Sequence, residues 1–101
     1  MKKIAKVEDI PVGRAKFVML DDTPIVLFNF KGKIKAWDNR CPHRGASLAD
    51  GKILDSSIQC KLHLWEFDVE AACAVANPDI KVRTFYVEVE NGDIFIEIEG
   101  K

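Results

Sequence analysis

Two short clusters of metal-donor side chains, Cys41 with His43 and Cys60 with His63, stand 16 residues apart and oblige any fold that uses them to bring two loops to one point. They take up both histidines of the chain. Two thiolates and two imidazoles make a complete donor set for a transition-metal centre. Structural zinc sites built from these residues usually group cysteine with cysteine and histidine with histidine along the chain. Here each cluster mixes the two types. A mixed cluster suits a centre of two unlike metal ions, to which each loop gives its thiolate on one side and its imidazole on the other. The alternative is a surface loop, marked by Pro42 and Gly45, with inert thiols. Each histidine lies within three residues of a cysteine, which weighs against that alternative.

Composition narrows the setting. At 101 residues the chain is one domain with a modest core. Hydrophobic residues make up 48% and charged residues 31%, a globular rather than a disordered balance. A net charge of −1 gives no reason to expect a nucleic-acid partner. No apolar run approaches the roughly 18 residues of a membrane span. The start, Met-Lys-Lys-Ile-Ala-Lys, has no apolar core of a signal peptide. These features predict a cytoplasmic chain with no membrane partner. Of the three cysteines, Cys73 is left over, in the small apolar stretch Ala71-Ala72-Cys73-Ala74. It is expected to be a buried, inert thiol, and unpaired cysteines suit a reducing compartment.

The secondary-structure signal is β almost throughout. Residues 82–90 and 93–99 flank Asn91-Gly92, a strong two-residue hairpin signal. Pairing about that turn opposes Val89 to Ile94, Val87 to Ile96 and Phe85 to Ile98. Glu88, Glu90, Glu97 and Glu99 then share the other, solvated face. Residues 25–30 and 34–37 flank Lys31-Gly32-Lys33 as a second hairpin, and residues 15–20 read as a strand ending at Asp21-Asp22-Thr23-Pro24. No helix is expected beyond one turn at Val7-Glu8-Asp9-Ile10. The fold class is all-β, an antiparallel sandwich or open barrel with a cluster-binding subdomain, about residues 40–70, inserted between its strands. The metal donors fall at loop tips, where a rigid sheet can position them.

The two clusters in their full context resemble a known family. Cys41-Pro42-His43-Arg44-Gly45-Ala46 and Cys60-Lys61-Leu62-His63-Leu64-Trp65-Glu66-Phe67-Asp68 are similar to the two cluster-binding loops of Rieske 2Fe–2S proteins, C-x-H followed by C-x-x-H. Asn77-Pro78 sits where that family places a proline loop over the cluster. The resemblance covers nearly the whole chain. It departs from the pattern at Lys61 and Leu64, where the family often has proline and glycine. It implies one 2Fe–2S cluster per chain. Cys41 and Cys60 would hold the buried iron, and His43 and His63 the outer one. Arg44 and Lys61 would give the tip a positive rim, with Leu62 and Leu64 beside His63.

The resemblance also bears on the reduction potential. Two neutral imidazoles in place of two thiolates ease the addition of an electron, and Rieske centres span about −150 to +300 mV. High-potential relatives carry a cysteine pair at the positions of Ala46 and Leu62, and serine and tyrosine donors at those of Trp65 and Phe67. All are absent here, so a low potential is expected. No histidine is left for a mononuclear iron, and neither a dinucleotide fingerprint nor a nucleophile elbow is present. The implied function is a one-electron carrier rather than an enzyme, passing electrons from a reductase to an oxygenase or another redox enzyme. Two alternatives stand beside it: a small subunit of a larger oxidoreductase such as an assimilatory nitrite reductase, and a zinc-stabilised binding module.

Overall fold

A computed structural model describes residues 2–40, 47–54, 56–60 and 65–97. The predicted strands all form. They are β2 (Ala15–Leu20), β3 (Thr23–Phe30), β4 (Lys33–Asp38), β9 (Thr84–Glu90) and β10 (Asp93–Glu97). β1 (Lys2–Lys6) was not legible in the sequence, nor were the four short strands β5 (Lys52–Ile53), β6 (Ser57–Gln59), β7 (Glu66–Asp68) and β8 (Cys73–Ala74). The single turn expected at Val7 is a 3₁₀ turn over Val7–Asp9, and a second one, Leu48–Asp50, follows the first donor loop.

Three two-residue turns set the register of the larger sheet. Leu20 pairs with Thr23, Phe30 with Lys33 and Glu90 with Asp93, so Asp21-Asp22, Lys31-Gly32 and Asn91-Gly92 are each a complete hairpin loop. Both residues of every loop have positive φ, the geometry that matches the twist of the flanking strands. Beyond the last turn, Val89 opposes Ile94 and Val87 opposes Ile96 as expected, while Ile98 lies outside the described residues. Val89 corrects one expectation, being 50% exposed rather than core. β9 pairs with β4 only at Phe85 and Thr84, so Val89 has no neighbouring strand beyond its own hairpin to cover it.

Among the described residues, antiparallel pairing gives one sheet in the order β1-β10-β9-β4-β3-β2. It curls into a nearly closed barrel. Lys2 at the start of β1 reaches Asp21 just past β2, at 3.2 Å. That pair is well exposed and adds less than about 1 kcal/mol. β5 to β8 form the second sheet, order β5-β6-β7-β8, within the connection from β4 to β9.

β3 explains how the two layers share one strand. Ile25 and Leu27 point into the barrel with Ile10, Ala36, Ile94 and Ile96. Val26, Phe28 and Phe30 point the other way, against Leu48, Ile58, Phe67, Val69 and Ala74 of the inserted layer. A strand buried on both faces reads as a continuous apolar run, which is what residues 25–30 show. Its one interruption, Asn29, is satisfied inside: Nδ2 donates to the Ile10 carbonyl at 2.8 Å, and Oδ1 accepts from Gly32 N–H at 2.9 Å. Phe28 meets Trp37 edge-on, centroids 5.1 Å apart, worth about 1 kcal/mol beyond the area buried.

Candidate metal centre

Both donor loops are held at their ends by described residues. The second is the tip of the β6–β7 hairpin. Ser57 pairs with Asp68, Ile58 with Phe67 and Gln59 with Glu66. Cys60 N–H then donates to the Trp65 carbonyl at 2.6 Å, one step further along the same ladder. Residues 61–64 are thereby a four-residue loop closed between Cys60 and Trp65. The first loop leaves the barrel at the end of β4. An isolated bridge between Arg40 and Ser47 closes it, leaving residues 41–46 as its span.

The two closures are tied to each other. Leu48–Asp50 turns the chain back from Ser47, and Gly51 N–H donates to the Leu48 carbonyl at 3.0 Å. Lys52 then pairs with Gln59. That register sets Gly51 beside Cys60. Gly51 presses so closely on β6 that a Cβ would lie 2.1 Å from the Gln59 carbonyl oxygen. Its φ of −82° suits any residue, so the requirement for glycine is purely steric. This contact brings the exit of one loop against the entrance of the other.

Of the four predicted donors, Cys60 is the one the described residues include. It is fully buried, at the edge of the apolar layer with Phe67, Ile58 and Val26. Cys41, His43 and His63 lie outside the described residues, as do Arg44, Lys61, Leu62 and Leu64. Among the described residues, no three His, Cys, Asp or Glu side chains gather around one point. A buried thiol at the mouth of a hairpin loop fits a metal donor that solvent must not reach, and metal coordination deprotonates a thiol outright. Cys73 departs from expectation, being partly exposed rather than buried. It pairs with Asp68 at the far end of β7, and on the outer side of its two-residue strand an isolated bridge to Lys81 is its pairing among the described residues.

A charged group sits where the first loop leaves the barrel. Asp38 accepts from Arg40 Nε at 2.9 Å, from Arg40 Nη2 at 2.7 Å and from the Arg40 backbone N–H at 2.9 Å. Burial by itself pushes the Asp38 carboxyl upward. The Arg40 hydrogen bonds and the charges of Arg40 and Arg83 outweigh it and hold the group below its usual value of 3.8. A lowered folded-state value adds stability that is complete above the unfolded value and is lost as pH falls through the folded one. The urea midpoint of the protein is therefore expected to fall on acidification below about pH 3.8, and Asp38→Asn to flatten that part of the profile. Parallel acid profiles for wild type and variant would refute the pairing.

Beyond Cys73–Ala74 the second sheet leads toward Asn77 and Pro78. Val75 N–H donates to the Glu66 carbonyl at 2.8 Å, which places Ala76 beside Trp65. Trp65, Glu66, Val75 and Ala76 line a hollow of about 270 Å³ next to the second donor loop. Asn77 and Pro78 follow as an exposed turn. Two elements of this site were missed from the sequence. Asp50-Gly51 is a turn signal, and it hinted at a bend without revealing the contact with Gln59. Asn39 carries no sequence signal at all.

Residues 1–86 match the Rieske [2Fe-2S] domain. The chain is 34% identical over 96 residues to the ferredoxin component of naphthalene 1,2-dioxygenase/salicylate 5-hydroxylase systems of a Ralstonia species, covering 94% of this chain and 92% of that one. It is 37% identical over 95 residues to the 3-phenylpropionate/cinnamic acid dioxygenase ferredoxin subunit of Escherichia coli K12, covering 91% and 88%. The solved structure of Sphingomonas yanoikuyae B1 ferredoxin superposes with a TM-score of 0.87 at 27% identity, over 97% of this chain and 98% of that one.

Proposed function

This chain belongs to the Rieske [2Fe–2S] domain family, and from that premise we propose that it carries single electrons from a reductase to an oxygenase. The family's cofactor is a 2Fe–2S cluster, which sets the zinc-stabilised module aside. The observation that carries the proposal is full-length similarity to ferredoxin components, which spans about nine-tenths of both chains. The chain is an electron carrier, not a catalyst. Cys41 and Cys60 would hold the inner iron, and His43 and His63 the outer one. When bound, the cluster supplies a one-electron redox step. What the described residues contribute is the closure of both loops, a dry environment at Cys60, and an end face free for a partner. The whole chain would act as a single unit, with residues 40–70 as its cluster-binding part. No helix of the described residues is long and apolar enough to cross a membrane. The Cys73 thiol, which forms no disulfide and is not among the proposed ligands, supports a cytoplasmic location.

The low potential has support on the described side of the site. Phe67 is fully buried in the same apolar layer as Cys60 and offers no side-chain donor. The potential is expected in the lower part of the Rieske range, nearer about −150 mV than +300 mV. Phe67→Tyr should raise it, because a donor near the Cys60 sulfur favours the more negative reduced state. Each 1.4 kcal/mol of such preference is about 59 mV for a one-electron couple. Redox titration followed by circular dichroism measures both. A wild-type value well above zero would sink the argument.

Docking would use the cluster end. The hollow at Trp65 and Ala76, with Val75 59% exposed on its rim, supplies apolar contact there. Arg44 and Lys61 would add positive charge and favour an acidic partner face. Arg44→Glu is expected to slow association with the oxygenase and to weaken its salt dependence. Stopped-flow electron transfer across a salt series tests this. Identical salt slopes for wild type and variant would refute it.

A further inference from the structure

We infer that Asn39 is the positioning residue for the first donor loop, acting as a buckle across residues 41–46. The inference rests on the reading above that Cys41 and His43 are cluster ligands. The β3–β4 ladder ends at Ile25 and Asp38, so Asn39 stands one residue past the sheet. It is nevertheless 5% exposed, and its backbone and amide are fully engaged. Its N–H donates to the Pro24 carbonyl at 2.9 Å, which anchors it to the start of β3. Its carbonyl accepts from Leu48 N–H at 2.8 Å. Its Oδ1 accepts from Ala49 N–H at 2.8 Å, and its Nδ2 donates to Ser47 Oγ at 2.9 Å.

The partners of Asn39 lie on two separate stretches. Pro24 belongs to the barrel. Ser47, Leu48 and Ala49 follow the donor loop and lead into Gly51, which abuts Gln59, the last residue of β6, just before Cys60. One buried residue therefore joins three things: its backbone holds the barrel and Leu48, and its side-chain amide holds Ser47 and Ala49, the exit of the first loop and the turn that carries this exit to the second. A six-residue loop between fixed ends samples far fewer conformations than one free at either end. Ordering the loop before the cluster binds lowers the entropy lost on binding. None of the partners of Asn39 named above is a proposed ligand. Asn39 acts through the loop ends, as outer partners of metal ligands commonly do.

The test is the rate at which the cluster-loaded protein releases iron to an excess of chelator, followed by loss of visible absorbance, with the EPR spectrum of the reduced protein recorded alongside. Asn39→Ala is expected to release iron about tenfold faster, the lower end of what losing an outer partner of a metal ligand costs, and to shift the EPR line shape. Asn39→Asp is expected to stay within about twofold of wild type, because one carboxylate oxygen can accept from Ala49 N–H and the other from the Ser47 hydroxyl. Ile96→Val, in the barrel core away from the loops, controls for a general loss of stability and is expected to leave release unchanged. Wild-type release from Asn39→Ala would overturn the inference. So would Asn39→Asp behaving like Asn39→Ala, or Ile96→Val matching it. A Cys41→Ser protein that still held a full cluster would instead refute the ligand assignment.

Discussion

Cys41→Ser and Cys60→Ser proteins are expected to be purified colourless, without iron or labile sulfide, whereas Cys73→Ser keeps its colour. Serine removes the thiolate, and its hydroxyl is a far poorer ligand at neutral pH. The structure sharpens this expectation for Cys60 and Cys73. Cys60 is fully buried at the mouth of the β6–β7 loop. Cys73 opposes Asp68, and Asp68 is three residues from Trp65, where the loop closes. At about 3.3 Å per strand residue, that places Cys73 roughly 10 Å from the level of Cys60. A metal–sulfur bond is about 2.3 Å, so no small adjustment could exchange the two thiols. Iron and sulfide analysis of each purified variant decides the matter. A colourless Cys73→Ser, or a red-brown Cys60→Ser, would overturn the assignment.

Gly51→Ala is expected to damage stability and cluster retention together. Its added methyl would sit 2.1 Å from the Gln59 carbonyl oxygen, and a backbone atom of a paired strand cannot rotate out of the way. The 3₁₀ turn Leu48–Asp50 must then lift off β6, carrying the exit of the first loop away from Cys60. Forcing extra volume into a close contact typically costs about 1–3 kcal/mol. In a domain of this size each kcal/mol lowers the melting temperature by roughly 4–8 °C. Gly92→Ala provides the contrast. Gly92 has φ of +82° and open space around it, so alanine there is strained without any clash. The Asn91-Gly92 turn follows the end of β9, while the donor loops lie near its start at Thr84. Gly92→Ala should therefore lower the melting temperature and leave iron release to a chelator unchanged. Equal iron retention in Gly51→Ala and Gly92→Ala would refute the proposed link between the loops.

Much of this molecule could be read from local pattern. Residues 15–20 and 25–30 are apolar runs broken by Lys16 and Asn29, and Asn91-Gly92 sets a register that the pairing of Val89 with Ile94 and Val87 with Ile96 bears out. These features are legible because turn chemistry and side-chain period act over a few residues. The proposed donor set rests on a different kind of signal. Metal coordination demands specific side chains, and those cannot be disguised by packing.

What remained hidden depends on contacts far apart in the chain. Lys2–Lys6 is a strand because β10 pairs with it, not because Lys-Lys-Ile-Ala-Lys has a strand pattern. β5 to β8 are two or three residues each and stand only as a set. By sequence Val89 falls on the apolar face of its hairpin and Cys73 in a small apolar stretch, and their exposure follows from how little of the neighbouring chain pairs beside them. Asn39 and Gly51 have their roles only because the chain returns from Ser47 to meet β6. The sequence by itself determined the strands β2, β3, β4, β9 and β10, their hairpin turns and the side-chain types offered as donors, since each is decided by neighbouring residues or by side-chain identity. The tertiary structure alone decided how the two donor loops are closed and joined, because that rests on one backbone contact and one buried amide between segments whose order in sequence says nothing of their distance in space.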